Sequence, residues 1–269
     1  MSQIIAQKRA GTPVSRLQQG YSHYTKRFSA NTRRGYSTTL CQFFAAVPDI
    51  YEEITPEHIE RFVMSFKGKN SSKNNQLYRI RSFCGYAENY LGLPNPAARI
   101  KPLKVTFYKQ RCLSDDEYQR ILAVCSSPSE SAVVKLLCAT GLRRSEYRSL
   151  SSASICEKHL IVIGKGNKKR IVPLNGIAIQ ALSLLNLSKS FKKPDSLMAL
   201  CRKLTRKSGV EPFSPHSFRH YFATRLVKAG VPLAKVSKIL GHSSIAVTEK
   251  TYLHLLPSDT LGCTDVLDF

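Results

Sequence analysis

The stretch Ser214-Pro215-His216-Ser217-Phe218-Arg219-His220 combines a helix start with groups suited to binding an anion. Ser214 is a good N-cap, and Pro215 suits the first helical position, where its missing N–H would have no helical partner. His216 then falls in the first turn, and Arg219, three residues on, shares its face. The free backbone N–H groups and the helix dipole favour negative charge at that end. An imidazole and a guanidinium added there make a phosphate site. Phe218, Phe222 and Leu226 form an inward stripe that holds the helix. A surface His and Arg near any helix start fit the same pattern, so the stretch has to be read with its neighbours.

Upstream stands Ala139-Thr140-Gly141-Leu142-Arg143-Arg144-Ser145-Glu146. Gly141 lets the chain turn between two helices, and Glu146 faces Arg143 at i+3, able to orient it or simply to form an ordinary helical ion pair. Gly164-Lys165-Gly166-Asn167-Lys168-Lys169-Arg170 is glycine-rich and cationic, but neither G-x-x-x-x-G-K-[ST] nor G-x-G-x-x-G occurs in it. It reads either as a mobile lysine able to protonate a leaving oxygen or as a solvated turn against a DNA backbone. Downstream, Leu240-Gly241-His242 closes a helix with a C-capping glycine. Tyr252 lies ten residues after His242, on the face of Ile245 and Thr248. A tyrosine on such a stripe is as much a core residue as a reactive one, and residues 232–252 also have the outline of a helix-turn-helix.

Composition narrows the classes of function. The chain of 269 residues carries 41 Lys+Arg against 18 Asp+Glu, a formal charge of +23. Residues 1–110 and 111–269 are both basic, as expected for two parts that grip a polyanion, with steeply salt-dependent binding. A 42% hydrophobic content supplies a core, and no apolar run approaches the ~18 residues of a membrane helix. The first residues lack a secretory apolar stretch. The eight cysteines include no C-x-x-C pair and read as buried, reduced thiols of a cytoplasmic, DNA-associated protein. The histidines show no H-E-x-x-H, so neither a metal nor a cofactor is expected.

The pattern predicts a mainly α protein in two domains. Residues 1–28 read as a basic N-terminal arm. Residues 29–92 read as a helical module with helices near 31–46, 55–66 and 72–91. Residues 93–111, with three prolines and five basic side chains, read as an extended linker. The second module, 112–257, opens on the capping box Ser114/Glu117. It contains one β-hairpin (159–163 and 169–173), with helices near 130–139, 142–150, 176–187, 195–208, 215–229, 232–240 and 244–255. A tail, 258–269, is acidic and apolar.

Taken together, T-G-L-R-x-S-E, G-K-G-N-K, H-x-x-R-H, L-G-H and a late tyrosine, in that order, resemble the tyrosine recombinase (phage integrase) family. The resemblance is strong over about 112–255 and one of kind only over about 20–100. It implies the family fold: a helical core-binding domain followed by an α+β catalytic domain with a small β-sheet. It implies that Arg143 and Arg219 grip the scissile phosphate, with Glu146 supporting Arg143. Lys165, His216 and His242 complete the site around the nucleophile Tyr252. The interval from His242 to Tyr252 is one residue longer than is usual in the family, but Tyr252 is the only tyrosine after Tyr221.

The resemblance further implies site-specific recombination without metal or ATP, through a covalent 3′-phosphotyrosine. The expected partners are double-stranded DNA with inverted-repeat sites and three further copies of the chain, in a tetramer on two sites, with the tail docking on a neighbour. DNA contacts are expected from Arg33, Arg34, Lys73, Arg79, Arg81, Lys168, Lys169 and Arg170. The short arm favours a simple two-domain, Xer-like enzyme. The rivals are a type IB topoisomerase and a non-catalytic helix-turn-helix regulator.

Overall fold

The computed structural model describes residues 11–105, 111–164, 168–187, 191, 193, 195–242 and 244–252. The chain forms two compact units that divide at residue 108. Among the described residues no helix is long and apolar enough to cross a membrane.

The first unit is helical: α1 Val14–Tyr24, α2 Ala30–Phe44, α3 Pro56–Ser65 and α4 Asn70–Leu91. Local chemistry sets two of the starts. Ser29 accepts the Thr32 N–H ahead of α2, and Thr55 accepts the His58 N–H ahead of α3, with Pro56 in its first turn. Leu40 and Phe43, Ile59 and Phe62, and Leu77, Ile80 and Phe83 supply one stripe from each of α2, α3 and α4 to a common core.

Two boundaries differ from the sequence reading. Half of the expected arm is folded, because α1 buries Val14, Leu17 and Tyr21 at i, i+3 and i+7 in the same core. Thr12 just ahead of it is held by Glu52, whose carboxylate accepts both the Thr12 N–H and hydroxyl. The start of the expected linker is also folded, with Ala97 and Ile100 in the core. There Asn74 donates to the Leu103 carbonyl and accepts its N–H, each at 2.8 Å.

The second unit surrounds a small antiparallel sheet, β1 Ile155–Cys156, β2 His159–Ile163 and β3 Lys169–Pro173, ordered β1-β2-β3. The two longer strands match the expected hairpin, with Ile161 opposite Ile171. The two-residue β1 is too short to leave a periodic signal. Leu160, Val162 and Val172 point inward, while Ile161, Ile163 and Ile171 point outward.

Around the sheet stand α5 Asp115–Ala123, α6 Pro128–Thr140, α7 Arg144–Ser149, α8 Gly176–Ser183, α9 Ser196–Ser208, α10 Pro215–Lys228, α11 Leu233–Leu240 and α12 Ile245–Tyr252. The Ser114/Glu117 capping box is present ahead of α5. Helix α6, apolar from Ala132 to Ala139 except at Lys135, packs against both α8 and α10 and is the centre of this unit's core. Helix α11 packs against β3, α10 and α12, and a smaller cluster of Phe222, Ala223, Val227, Val236, Leu240 and Tyr252 joins these helices. The described cysteines are free; Cys84, Cys138 and Cys201 are buried as expected, whereas Cys41 is exposed on α2.

Candidate active site

The site begins with a turn. Helix α6 ends at Gly141 in a left-handed conformation (φ +60°), which reverses the chain and delivers Arg143 to the start of α7. Glu146, three residues into the new helix, reaches back. Its Oε2 accepts the Arg143 N–H at 2.7 Å and its Oε1 accepts from Arg143 Nη1 at 2.8 Å. Of the pairing that spacing alone left open, both hydrogen bonds are present in the structure.

Arg170 completes this arrangement and corrects its sequence reading as a DNA-contacting residue. Its side chain is buried, donating to Glu146 from Nη2 at 2.7 Å and from Nε at 3.2 Å, and from Nη1 to the Ile239 carbonyl. The alternation of β3 explains the placement: Arg170 shares the inward face of Val172, between outward Lys169 and Ile171. Burial by itself would push the Glu146 carboxyl up. The hydrogen bonds and charge of Arg170, joined by those of Arg143, outweigh it and hold the group below the usual carboxylate range.

Arg219 lies on the buried side of α10, only 2% exposed. Its Nη1 donates to the Gly141 carbonyl at 2.8 Å and its Nη2 to the Leu240 carbonyl at 2.6 Å. Arg143 Nη2 donates to the next carbonyl, that of Gly241, at 2.8 Å. Three guanidiniums thus converge on the successive carbonyls 239, 240 and 241 at the C-terminal end of α11, where the helix leaves acceptors unpaired and the dipole is negative. One carboxylate, Glu146, balances them. Burial and the charges of Arg143 and Arg170 lower the Arg219 pKa to about 9, so the group stays cationic at neutral pH in a pocket with surplus positive charge. Such a pocket is ready for an anion.

The histidines border this charge. His216 is exposed and lines a cleft of about 270 Å³ with Leu142, Arg143, Arg144, Ser145 and Pro215. Partial desolvation and the charges of Arg219 and Arg143 lower its pKa. His242 lies 2.7 Å through Nδ1 from Thr248 Oγ1 on the next helix, and burial with the same arginines brings its pKa down to about 4.

Tyr252 is 3% exposed, with its hydroxyl 2.6 Å from Nδ1 of His220. Burial raises its pKa, and Arg219 opposes the rise. Arg143, Glu146, His216, Arg219, His242 and Tyr252 therefore lie together in one unit. His220 is the contact that sequence reasoning quoted but did not use; its i+4 spacing from His216 was the available signal.

Lys165 lies outside the described residues. The ends of its turn are joined by the Gly164 N–H donating to the Lys168 carbonyl at 2.8 Å. A Cβ on Gly164 would lie 3.6 Å from Glu146 Oε1 and 3.7 Å from Arg143 Nη1, so the hairpin base abuts the Arg143–Glu146 pair. Lys168 and Lys169 are exposed beside it. In the first unit Arg33 and Arg34 are exposed, and Lys73 is half-buried and donates to the Met64 carbonyl. Arg79 and Arg81 are spent within the fold. Arg79 donates to Thr39 Oγ1 at 2.9 Å, and Arg81 to the Ala97 and Ile100 carbonyls, because both face the helix and the segment beside α4.

The chain is similar to known proteins over nearly all of its length. The sequence profile of the phage integrase family matches residues 111–258, more than half of the chain. The tyrosine recombinase XerD of Chlorobaculum tepidum is 30% identical, over 87% of this chain and 89% of its own. A tyrosine recombinase of Agathobacter rectalis is 28% identical over the same shares. Among solved structures, a lambda integrase dimer bound to a COC′ core site superposes with a TM-score of 0.75 at 18% identity, covering 89% of this chain and 95% of that one. The Tn1549 transposon integrase in complex with circular intermediate DNA gives 0.71 at 16%, covering 90% and 95%. These two likenesses establish the shared fold. From sequence profile and relatives alike, the chain belongs to the phage integrase family, the tyrosine recombinases, enzymes that cut and rejoin DNA strands.

Proposed function

We propose that this site-specific recombinase cleaves duplex DNA through Tyr252, forming a covalent 3′-phosphotyrosine and releasing a 5′-hydroxyl. The observation that carries the reading is the convergence of Arg143 and Arg219 on the adjacent carbonyls of Gly241 and Leu240, with Tyr252 packed in the same subunit's cluster beside α10. Two always-charged forks match the geometry of a phosphate and of the pentacoordinate charge that attack builds on its oxygens. Tyr252 supplies the attacking oxygen in cis. Its pKa is raised by burial, so the phenol must lose its proton as the bond to phosphorus forms. Lys165 protonates the leaving 5′-oxygen, and His216 and His242 assist at the phosphate. The phosphotyrosine conserves the bond energy, and a 5′-hydroxyl from a partner strand reverses the step and exchanges strands.

Both units hold the duplex, the first through exposed Arg33 and Arg34 and the second through Lys168 and Lys169. Four copies act on two inverted-repeat sites, with residues 258–269, which lie outside the described residues, docking on a neighbour. Both solved relatives above are complexes with DNA, which supports the duplex partner. The test is a suicide duplex drawn from the DNA flanking the gene. Wild type forms a protein–DNA adduct at Tyr252, and Tyr252→Phe binds but forms none. An adduct at another residue refutes the reading. Deleting 258–269 lowers synapsis more than single-site binding; unchanged assembly refutes the docking role. Strand exchange between sites separates this enzyme from one that only relaxes supercoils.

A further inference from the structure

We propose that His220 is the positioning residue of the nucleophile: its Nδ1 accepts the phenolic hydrogen of Tyr252 and fixes the attacking oxygen relative to Arg219, the preceding residue of α10. The inference rests on the reading of Tyr252 as nucleophile and adds to it a residue that lies in the H-x-x-R-H stretch without an assigned role.

Several observations carry it. Tyr252 is a buried member of an apolar cluster with Phe222, Ala223, Val227, Val236 and Leu240, where an unpaired O–H is costly. Its partner is His220 Nδ1 at 2.6 Å. The other two histidines of the site do not serve: His242 Nδ1 lies against Thr248 Oγ1, and His216 is exposed at the mouth of the cleft. An imidazole nitrogen is a better acceptor than a phenolic oxygen, and a phenol is a better donor than an imidazole N–H. The hydrogen therefore runs from tyrosine to histidine, and the ring proton sits on Nε2.

The surroundings keep the ring in that neutral, accepting state. Burial, then His216, Arg219 and His242, lower its pKa to about 4. His216 stands edge-on to it, with centroids 4.6 Å apart and planes at 82°. Nε2 is buried with no hydrogen-bond partner among the described residues. A residue kept only for packing would have no reason to carry a polar edge there. What histidine adds over a phenylalanine of similar shape is the bond to Tyr252. Because α10 carries both Arg219 and His220, one rigid helix sets the phosphate-binding guanidinium and the nucleophile's anchor one residue apart.

The experiment compares wild type, Tyr252→Phe, His220→Phe and His220→Asn on the suicide duplex, scoring adduct formation and DNA affinity separately. Asparagine Oδ1 can stand where Nδ1 does. His220→Asn is expected within about 5-fold of wild type, and His220→Phe about 100-fold slower at unchanged affinity, the scale of an ångström of misplacement. A wild-type rate in His220→Phe while Tyr252→Phe is inert overturns the role of His220 and leaves the nucleophile standing. An adduct in Tyr252→Phe overturns the nucleophile itself. A second measurement needs neither DNA nor a histidine variant. The 15N shift of His220 Nδ1 in the free protein is expected to move in Tyr252→Phe, and an unchanged shift overturns the proposal.

Discussion

Arg170 and Glu146, on a strand and a helix 24 residues apart in sequence, meet in a bidentate ion pair with Nη2–Oε2 at 2.7 Å and Nε–Oε1 at 3.2 Å. Their side chains are 8% and 1% exposed, so each charge depends on the other for its solvation. Breaking a buried pair costs about 3–5 kcal/mol, and removing Arg170 leaves the buried Glu146 carboxylate with Arg143 as its remaining ion-pair partner, which places the loss at the low end of that range. Arg170→Met is therefore expected to lose about 3 kcal/mol in urea unfolding. Arg170→Lys should fall between, since an ammonium cannot bridge both carboxylate oxygens and the Ile239 carbonyl. An Arg170→Met midpoint equal to wild type would show that the pair adds nothing.

The histidines make stability depend on pH in a defined window. His220 and His242 titrate at about 4 in the folded chain and near 6.5 when unfolded. Below about 6.5 the unfolded chain takes up protons that the folded one refuses, so stability present at pH 7 is lost progressively towards pH 4. Each group contributes a slope of up to about 1.4 kcal/mol per pH unit. Glu146, whose folded pKa is lowered, acts in a separate window: its contribution is full above about 4.3 and disappears only as pH falls through the lowered value. Urea midpoints between pH 7 and 5 should fall in wild type and fall less in His220→Asn. Parallel lines for the two proteins would count against a neutral, buried His220.

Much of this was legible in the sequence because it is local. Caps at Ser114 and Thr55, the turn at Gly141 and the Arg143–Glu146 pair are all written within four residues. The hairpin followed from alternation and a glycine-rich tip. What escaped depends on contacts between distant segments. The amphipathic arm became α1 because a core assembled elsewhere accepts Val14, Leu17 and Tyr21. Arg170 reads like its lysine neighbours because a basic run looks uniform in sequence, whereas a strand sorts it by parity. His220 pairs with a residue 32 positions away on another helix. Helix α10 is buried on nearly every side between Ser217 and Thr224, so a one-face reading could not rank its polar residues.

Arg219 illustrates why a fork and not a point charge is required. Its two Nη groups span the Gly141 and Leu240 carbonyls, from opposite ends of the site. Lysine can reach one of them and cannot hold a phosphate bidentately as well. Arg219→Lys and Arg143→Ala are each expected to slow adduct formation about 10²–10³-fold, with DNA affinity within a few-fold on the proposed reading that both units hold the duplex. The reaction is expected to proceed in EDTA. Strict dependence on Mg²⁺, or a drop in affinity matching the drop in rate, would contradict transition-state stabilisation by these two residues.

Gly141 joins the backbone to the chemistry. At φ +60° it holds a conformation that a side chain disfavours, and a Cβ there would lie 2.4 Å from Cδ1 of Phe222. Phe222 cannot retreat cheaply, since it packs in the cluster that also holds Tyr252. Gly141→Ala must therefore move the α6–α7 turn, carrying with it the carbonyl that accepts from Arg219 and the start of the segment that presents Arg143. The expected result is a loss of about 2–4 kcal/mol in urea unfolding, from backbone strain and overpacking together. Adduct formation should fall at least 10-fold even at temperatures where the variant is fully folded, because a shift of an ångström at either arginine misaligns the phosphate. Circular dichroism at the assay temperature separates the two effects. A folded Gly141→Ala enzyme that cleaves at the wild-type rate would show that this turn does not set the position of the arginines.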